Sequence, residues 1–384
     1  MSIQPGNDGR NTRAGTGTFL IDSNGITRLI LYRLAYAWVI VDQELSLFQD
    51  IPPKLSLADI NTEFPKGEIL WQAKSAEEWL NLVTRDYSRN TEKQLYPSLA
   101  PLFRQFMDDG ASMKVPTRGL SPLQLRAILH PLQRLTCHLH ECLSCFSSGG
   151  SNRQALRLMG QLEEVQATLQ QWYQLSSAVP QKPSRFCSAT FANLLTYHLI
   201  SLNVMTCFRD MEALARGETT VQNFCTSFWA KSKLRVEKSQ IYVHCGQVLN
   251  LVRMMPERDR PPWWAAAVYR VCISMWATCI ANNSSSSDEC SSSVIHSTSA
   301  QGTGLTFPID GVMPEHPSIA RYLRFNEGSP VFKLTDGETS AITPINTLNY
   351  CVVLLQEAEL ETPLLKGISN RLEDLAMRAD ESAG

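Results

Sequence analysis

The sequence has no excess of charge of either sign. Its 35 Lys and Arg residues nearly balance 37 Asp and Glu residues, so the net charge is −2. A protein that binds nucleic acid or anionic lipid through its overall charge carries a large positive excess. No cluster of Lys and Arg forms a local basic module either. The charge pattern therefore does not predict direct DNA binding by this chain.

The sequence also lacks a secretory signal and a run long enough to span a membrane. The N-terminal stretch MSIQPGNDGRNTRAGTG is polar and has no apolar core. The longest apolar stretches, near 28–41 and 265–281, are shorter than a span and contain Arg33 and Arg270. The 11 cysteines are odd in number and irregularly spaced, as in a reduced intracellular protein. We expect neither secretion nor membrane insertion.

The usual catalytic signatures are missing from the sequence. It contains no Gly-x-Ser-x-Gly elbow, no P-loop and no His-Glu-x-x-His pair. In CHLHECLSC, however, His138, Cys142 and Cys145 would share one helix face and could bind zinc. No second Cys-x-x-Cys and no later His pair completes such a site, so packing of Cys142 in an apolar stripe is favoured. We predict no catalytic, cofactor-binding or metal site.

Other potentially reactive residues have simpler structural explanations. His244 and Cys245 are neighbours on a predicted helix and therefore do not face each other. His316, in the stiff loop PEHP, is expected to bond to the backbone. Trp263 and Trp264 could line a ligand pocket, but core packing with the indole N–H bonded to a carbonyl is the favoured interpretation.

Most of the sequence shows apolar residues at helical spacing. A helix is predicted from 28 to 49, where apolar residues recur in steps of four and three, and Pro52-Pro53 ends it. The recurring apolar residues are Leu34, Trp38, Val41, Leu45 and Phe48. Further helices are predicted at 123–146, from 151 or 152 onward, at 188–216 and at 239–254.

The segment RPPWWAAAVYRVCISMWA is predicted to be the buried centre of a bundle. Pro261 and Pro262 suit the first turn of a helix, where a missing N–H costs nothing. Arg270, Ser274 and Thr278 step by four and form the narrow polar stripe of an otherwise apolar helix. We expect Arg270 to meet a buried acid, for which Asp42 is the candidate.

The domain division follows from composition. Residues 1–24 are predicted to be a disordered tail, 25–281 a helical domain, 282–303 a Ser-rich flexible loop, and 304–384 the C-terminal helical part of the same domain. No sustained period-two alternation and no fixed repeat is present. The predicted fold class is all-α, a large helical bundle.

Several segments resemble the fungal-specific transcription factor domain, the helical regulatory region of fungal zinc-finger transcription factors. The first is YRLAYAWVIVDQELSLFQDIPPKLSLADINTEFP followed by ILWQAKSAEEW. Others are LLTYHLISLNV, HCGQVLNLVRMMPERDRPPWWAAAVYR and FPIDGVMPEHPSIARYLRFNEGSPVFKLTDG, which look like the subgroup with two-cysteine two-histidine fingers. The residues that carry the resemblance are Arg33, Trp38, Asp42, Pro52, Pro53, Asp59, Trp71, Pro261, Pro262, Trp263, Trp264 and Arg270.

The resemblance implies a nuclear transcription regulator, of a kind that often controls metabolic or secondary-metabolite genes. It implies zinc only in N-terminal fingers, and no cysteine precedes Cys137 here. The expected partners are the transcription machinery, a paralogous regulator or a second copy of the chain, with DNA contacted only if a finger module is supplied elsewhere. The alternative is a fingerless helical module that senses a ligand or dimerises with a full-length regulator. An enzyme is the third hypothesis and would require a pocket of clustered ionisable residues.

Overall fold

The computed structural model describes most of the chain. The described residues are 23–65, 75, 77–78, 81–82, 98–113, 119–146, 152–178, 188–232, 238–288, 305–334 and 337–381. The predicted tail therefore lies almost wholly outside the described residues, as do Trp71 and the Ser-rich stretch after residue 288.

Twelve α-helices make up the described part of the chain, which confirms the all-α prediction. They are α1 Ser23–Gln49, α2 Leu99–Asp109, α3 Pro122–Phe146, α4 Asn152–Ala178, α5 Ser188–Met205, α6 Phe208–Arg216, α7 Val221–Ser232, α8 Lys238–Met254, α9 Trp264–Asp288, α10 Pro317–Phe325, α11 Pro344–Gln356 and α12 Pro363–Glu381.

A small sheet joins the C-terminal helices. It has the order β1–β2–β3, with β1 Thr306–Pro308, β2 Ser329–Lys333 and β3 Thr339–Ala341. β1 pairs with β2 in parallel and β2 with β3 antiparallel. Strands of three to five residues are too short to show period-two alternation, so the sequence did not predict them.

Helix α9 lies in the interior, as the sequence predicted. It contacts α6, α7, α8, α11 and α12. Val268, Val271 and Met275 are fully buried. Its polar stripe is buried too, because the Ser274 and Thr278 hydroxyls bond to carbonyls one turn earlier, at 2.8 and 2.7 Å. The helix begins at Trp264, after a turn formed by the two prolines, and extends to Asp288, into the stretch predicted as a loop.

One helix of the described chain, Trp264–Ser284 within α9, is long and apolar enough to cross a membrane. However, 78% of its most apolar stretch is buried inside the fold. A core helix passes the same test of length and composition, and the buried Arg270 supports that interpretation.

The prediction of one helix over 188–216 is wrong. The chain breaks at Thr206 and Cys207, and α5 and α6 meet at a bend of 80°. The Thr206 amide and hydroxyl both bond to the Leu202 carbonyl, at 2.8 and 2.7 Å, which closes the last turn of α5. The bend lets Phe208 and Met211 of α6 pack into the core.

The apolar residues that recur along α1 are not the ones that enter the core. Tyr36, Val39 and Leu47 are the buried apolar residues of this helix. Tyr36 stacks on Phe64, with ring centroids 4.5 Å apart, and its hydroxyl donates to the Thr62 carbonyl at 3.1 Å. Of the recurring residues, Leu34, Trp38, Val41 and Leu45 face outward, and only Phe48 packs against the core.

Gly246 allows α8 to approach the segment after β1. A Cβ atom at this position would lie 2.6 Å from both the Cγ1 and the backbone oxygen of Ile309. Because the backbone oxygen belongs to a packed segment, it cannot move aside cheaply. Gly160 on α4 has no atom within 4 Å of the same position.

We expect Gly246→Ala to lower the free energy of unfolding by about 1–3 kcal/mol through overpacking. Gly160→Ala is the matched control and should raise it by about 0.5–1 kcal/mol, because alanine is the better helix former. Denaturant unfolding of the two variants measures both changes. Equal behaviour of the two variants would contradict the close contact at Ile309.

Candidate functional site

The most distinctive site is a set of polar contacts that joins α1, α3, α5 and α9. At its centre is Arg270, which is only 2% exposed. Its Nη1 donates to Asp50 Oδ1 and to Asn203 Oδ1, both at 2.8 Å. The guanidinium also lies 4.0 Å from the ring centroid of Phe208. The predicted acid partner is therefore present, but it is Asp50 and not Asp42.

Asp42 instead holds the loop that follows α1. Its two carboxylate oxygens accept the backbone amides of Lys54 and Leu55, at 3.0 and 2.9 Å. From α3, Arg134 donates to the carbonyls of Pro53 and Leu55, at 2.8 and 2.9 Å. The Asp42 carboxylate thus accepts backbone amides of the loop that contains Pro53, and the Arg134 guanidinium donates to backbone carbonyls of the same loop. Together the two side chains hold this loop against α1 and α3.

Asp42 also lies 3.3 Å from Nε2 of His130, which is almost fully buried on α3. Burial lowers the pKa of His130, and the Asp42 carboxylate partly opposes that shift. Nearby, buried Arg126 pairs with Glu44 at 3.2 Å. Burial lowers the pKa of Arg126 to about 10, against the opposing charge of Glu44.

A second pair joins α5 to α8, and it consists of buried His198 and half-buried His244. The Nδ1 atoms of His198 and His244 lie 2.9 Å apart, so one ring donates and the other accepts. Burial lowers the pKa of His198 well below its usual value, with a further contribution from His244. Burial alone lowers the pKa of His244 to about 4. Both imidazoles are therefore neutral near pH 7, and their two Nδ1 atoms are engaged with each other.

The buried thiols are not activated. Burial raises the pKa of Cys137 to about 11 and that of Cys245 and Cys272 well above the ordinary value. A thiolate is the nucleophilic form, so these thiols are inert at neutral pH. On the helix face considered for zinc, exposed His138 lies 3.5 Å from Glu141 and the Cys145 thiol bonds to the Glu141 carbonyl. Among the described residues, no three His, Cys, Asp or Glu side chains are placed to hold a metal ion.

Sequence reasoning missed a third polar cluster, at Asp310. This fully buried carboxylate accepts Arg253 Nη1 at 2.7 Å, the Tyr350 hydroxyl at 2.5 Å and the Lys333 amide at 2.9 Å. Its signal was an acid in the apolar context FPIDGV. A cleft of about 150 Å³ opens beside Arg253 and Tyr350. The groups of this cluster bond to one another and tie α8, β2 and α11 together.

The remaining resemblance residues are placed as follows. Arg33 and Trp38 are exposed on α1. Asp59 accepts the Ser56 amide at 2.8 Å and the Ser56 hydroxyl at 2.6 Å in an exposed turn, and these bonds lower its pKa. The His316 imidazole accepts the Ser318 amide at 3.2 Å, so its predicted backbone bond is confirmed.

The two indoles differ from each other. Trp263 is buried and its ring centroid lies 5.5 Å from that of Phe48, which confirms core packing. Its Nε1, however, has no hydrogen-bond partner, so the predicted bond to a carbonyl is wrong. Trp264 is half-buried, with the Arg260 guanidinium 4.8 Å from its ring centroid.

Proteins named as transcription factors match this chain along most of its length. It is 36% identical over 352 residues to Transcription factor 1 of Elsinoe fawcettii, a match that covers 89% of this chain and 35% of that protein. It is 34% identical over 378 residues to a transcription factor of Zymoseptoria tritici, with 90% of this chain and 37% of that protein covered. Transcription factor PfmaH of Pestalotiopsis fici is 35% identical over 260 residues, covering 64% and 26%.

The chain thus spans about a third of the length of the first two relatives. No protein-family model matches the chain. No solved structure matches it either. The comparisons relate the chain to fungal transcription factors, and the domain and finger subgroup named above stay predictions.

The ion pair of Arg270 predicts an asymmetric response to mutation. Asp50→Asn leaves a buried guanidinium without its counter-charge and should cost about 3 kcal/mol in the free energy of unfolding. Arg270→Met leaves Asp50, whose side chain is 27% exposed and can be hydrated, and should cost about 1–2 kcal/mol. The double variant should be more stable than Asp50→Asn alone. Denaturant unfolding measures all three, and an Asp50→Asn cost below that of Arg270→Met would contradict this account.

The histidine pair predicts a loss of stability in acid. Both pKa values are lower in the folded chain than the value of about 6.5 expected when it is unfolded, so the unfolded chain binds more protons as the pH falls. Between pH 7 and pH 5 the free energy of unfolding should fall by about 2 kcal/mol for each histidine, and so by about 4 kcal/mol for the pair. The double variant His198→Gln/His244→Gln should reduce this slope. An unchanged slope, measured by denaturant unfolding at each pH, would show that other groups control it.

Proposed function

We propose that this chain is the helical regulatory part of a fungal transcription factor and works in the nucleus through contacts with other proteins. The observation that carries the proposal is the similarity to proteins named as transcription factors over about nine-tenths of the chain. The match occupies little more than a third of each of these relatives, which leaves room in them for a separate DNA-binding module.

The polar sites described above support a regulatory module more than an enzyme. The groups of the Arg270, Asp310 and His198–His244 clusters are buried or half-buried, and they are engaged with one another. General acid–base and nucleophilic catalysis require groups that can reach a substrate and that have suitable pKa values. The described clusters instead connect helices to one another, as expected of a scaffold that presents surfaces to partner proteins.

The finer assignments rest on the sequence resemblance. We propose that partners are the transcription machinery or a paralogous regulator, and that DNA is contacted through a finger module supplied outside these residues. Zinc would be held by that module and not by this chain. The net charge of −2 agrees with protein contacts as the main activity. Target genes in metabolism or secondary metabolism are part of the same proposal.

The proposal predicts that the chain, fused to a foreign DNA-binding domain, changes transcription of a reporter in a fungal host. The foreign domain alone is the baseline. Two further fusions carry one substitution each. The Gly160→Ala fusion keeps a stable fold and should still change transcription of the reporter, whereas the Gly246→Ala fusion has a destabilised fold and should lose that activity. The proposal fails if the native fusion is abundant in the nucleus and leaves the reporter at baseline under varied growth conditions.

A further inference from the structure

Helix α1 has a second apolar face that none of the described residues covers. Five side chains form this face, which we call the α1 seam: Leu31, Leu34, Trp38, Val41 and Leu45. Their exposed fractions are 54, 51, 60, 41 and 51%. Contiguous exposed apolar patches of this kind mark interaction sites in soluble proteins.

The spacing of the residues in the α1 seam indicates that a second helix covers it. The steps between its members are three, four, three and four, which is the a/d pattern of a two-helix coiled coil. The seam runs about 21 Å along the helix. The buried face of α1, with Tyr36 and Val39, lies on the other side, so the described part of the domain does not block the approach of a second helix.

The distribution of charged residues on α1 also suggests that both of its apolar faces are buried. From Leu34 to Val41 the sequence LAYAWVIV contains no charged residue. The acids that flank the seam, Asp42 and Glu44, are already paired with His130 and Arg126. A helix face exposed to water normally carries charged side chains, and a helix that is apolar on both sides is buried on both.

We propose that a second copy of this chain covers the α1 seam, and that the two α1 helices pack antiparallel around a twofold axis. In this register Trp38 lies opposite Val41 of the second copy, and Leu34 lies opposite Leu45. The large indole therefore faces the smaller valine, and leucine faces leucine, which suits close packing. A parallel pair would place two indoles in one layer, and its a positions (Leu31, Trp38 and Leu45) lack the β-branched residues that favour parallel dimers.

The flanking positions fit the same register. Asp42 and Glu44 lie opposite Ala35 and Ala37 of the second copy, so no acid faces another acid and small side chains allow close approach. The exposed part of the seam, counted in both copies, buries on the order of 1,000 Å², the size at which specific interfaces begin. The dimer does not depend on the proposed role in transcription, because it follows from α1 alone.

The test measures the mass of the full chain over a range of concentrations by sedimentation. The native chain should dimerise, and Trp38→Glu should raise the dimer dissociation constant about 30-fold or more, as loss of a central aromatic anchor does. Phe325→Glu, at an aromatic residue that is 66% exposed at the end of α10, is the matched control and should leave it unchanged. The thermal midpoint of each monomeric variant checks the fold.

Crosslinking tests the register in a Cys145→Ser background, which removes an exposed thiol. Leu34→Cys and Leu45→Cys chains should be joined by a short bismaleimide when mixed, and neither should be joined to itself. Self-joining of each variant would overturn the antiparallel register. A chain that stays monomeric at high concentration would overturn the dimer. Loss of thermal stability in monomeric Trp38→Glu would then assign the seam to another part of the same chain.

Discussion

A buried guanidinium must be paired, and this constraint at Arg270 fixes how the helices of the described fold meet. The side chain comes from the central helix α9, its acid from the end of α1 and its amide acceptor from α5. Leaving such a charge unpaired costs several kcal/mol, so α1 must end where Asp50 can reach it. Asp50 achieves this with a positive φ of 52°, a conformation that Asp tolerates better than most residues.

The other polar clusters follow the same physical rule. Asp42 and Arg134 satisfy the loop after α1 from two sides, and Asp310 gathers groups from α8, β2 and α11. Each cluster joins elements that are far apart in sequence, and apolar contacts alone would not fix their register so specifically. In the described part of this protein, these polar clusters thus serve to hold the helices and loops together. That use agrees with relatives named as transcription factors and with a regulatory role.

The two faces of α1 connect this architecture to assembly. The face with Tyr36 and Leu47 is buried in the core, and the opposite face with Trp38 is apolar too. The apolar periodicity of the sequence picked out the outer face, because the apolar residues of that face are more regularly spaced than those of the buried face. A helix with two apolar faces must choose one for its own core, and the other is then available to a partner.

Local patterns determined much of this fold in advance. The all-α class, the ends of α3 and α8 and the burial of α9 follow from helical spacing and prolines, which act within a few residues. Tertiary structure alone decided the acid that pairs with Arg270, since both Asp42 within α1 and Asp50 just after it were suitable acids. It also decided the bend at Thr206, the cluster at Asp310 and the inward face of α1. These depend on contacts between residues remote in sequence, and no local pattern encodes which of two suitable side chains a distant partner will reach.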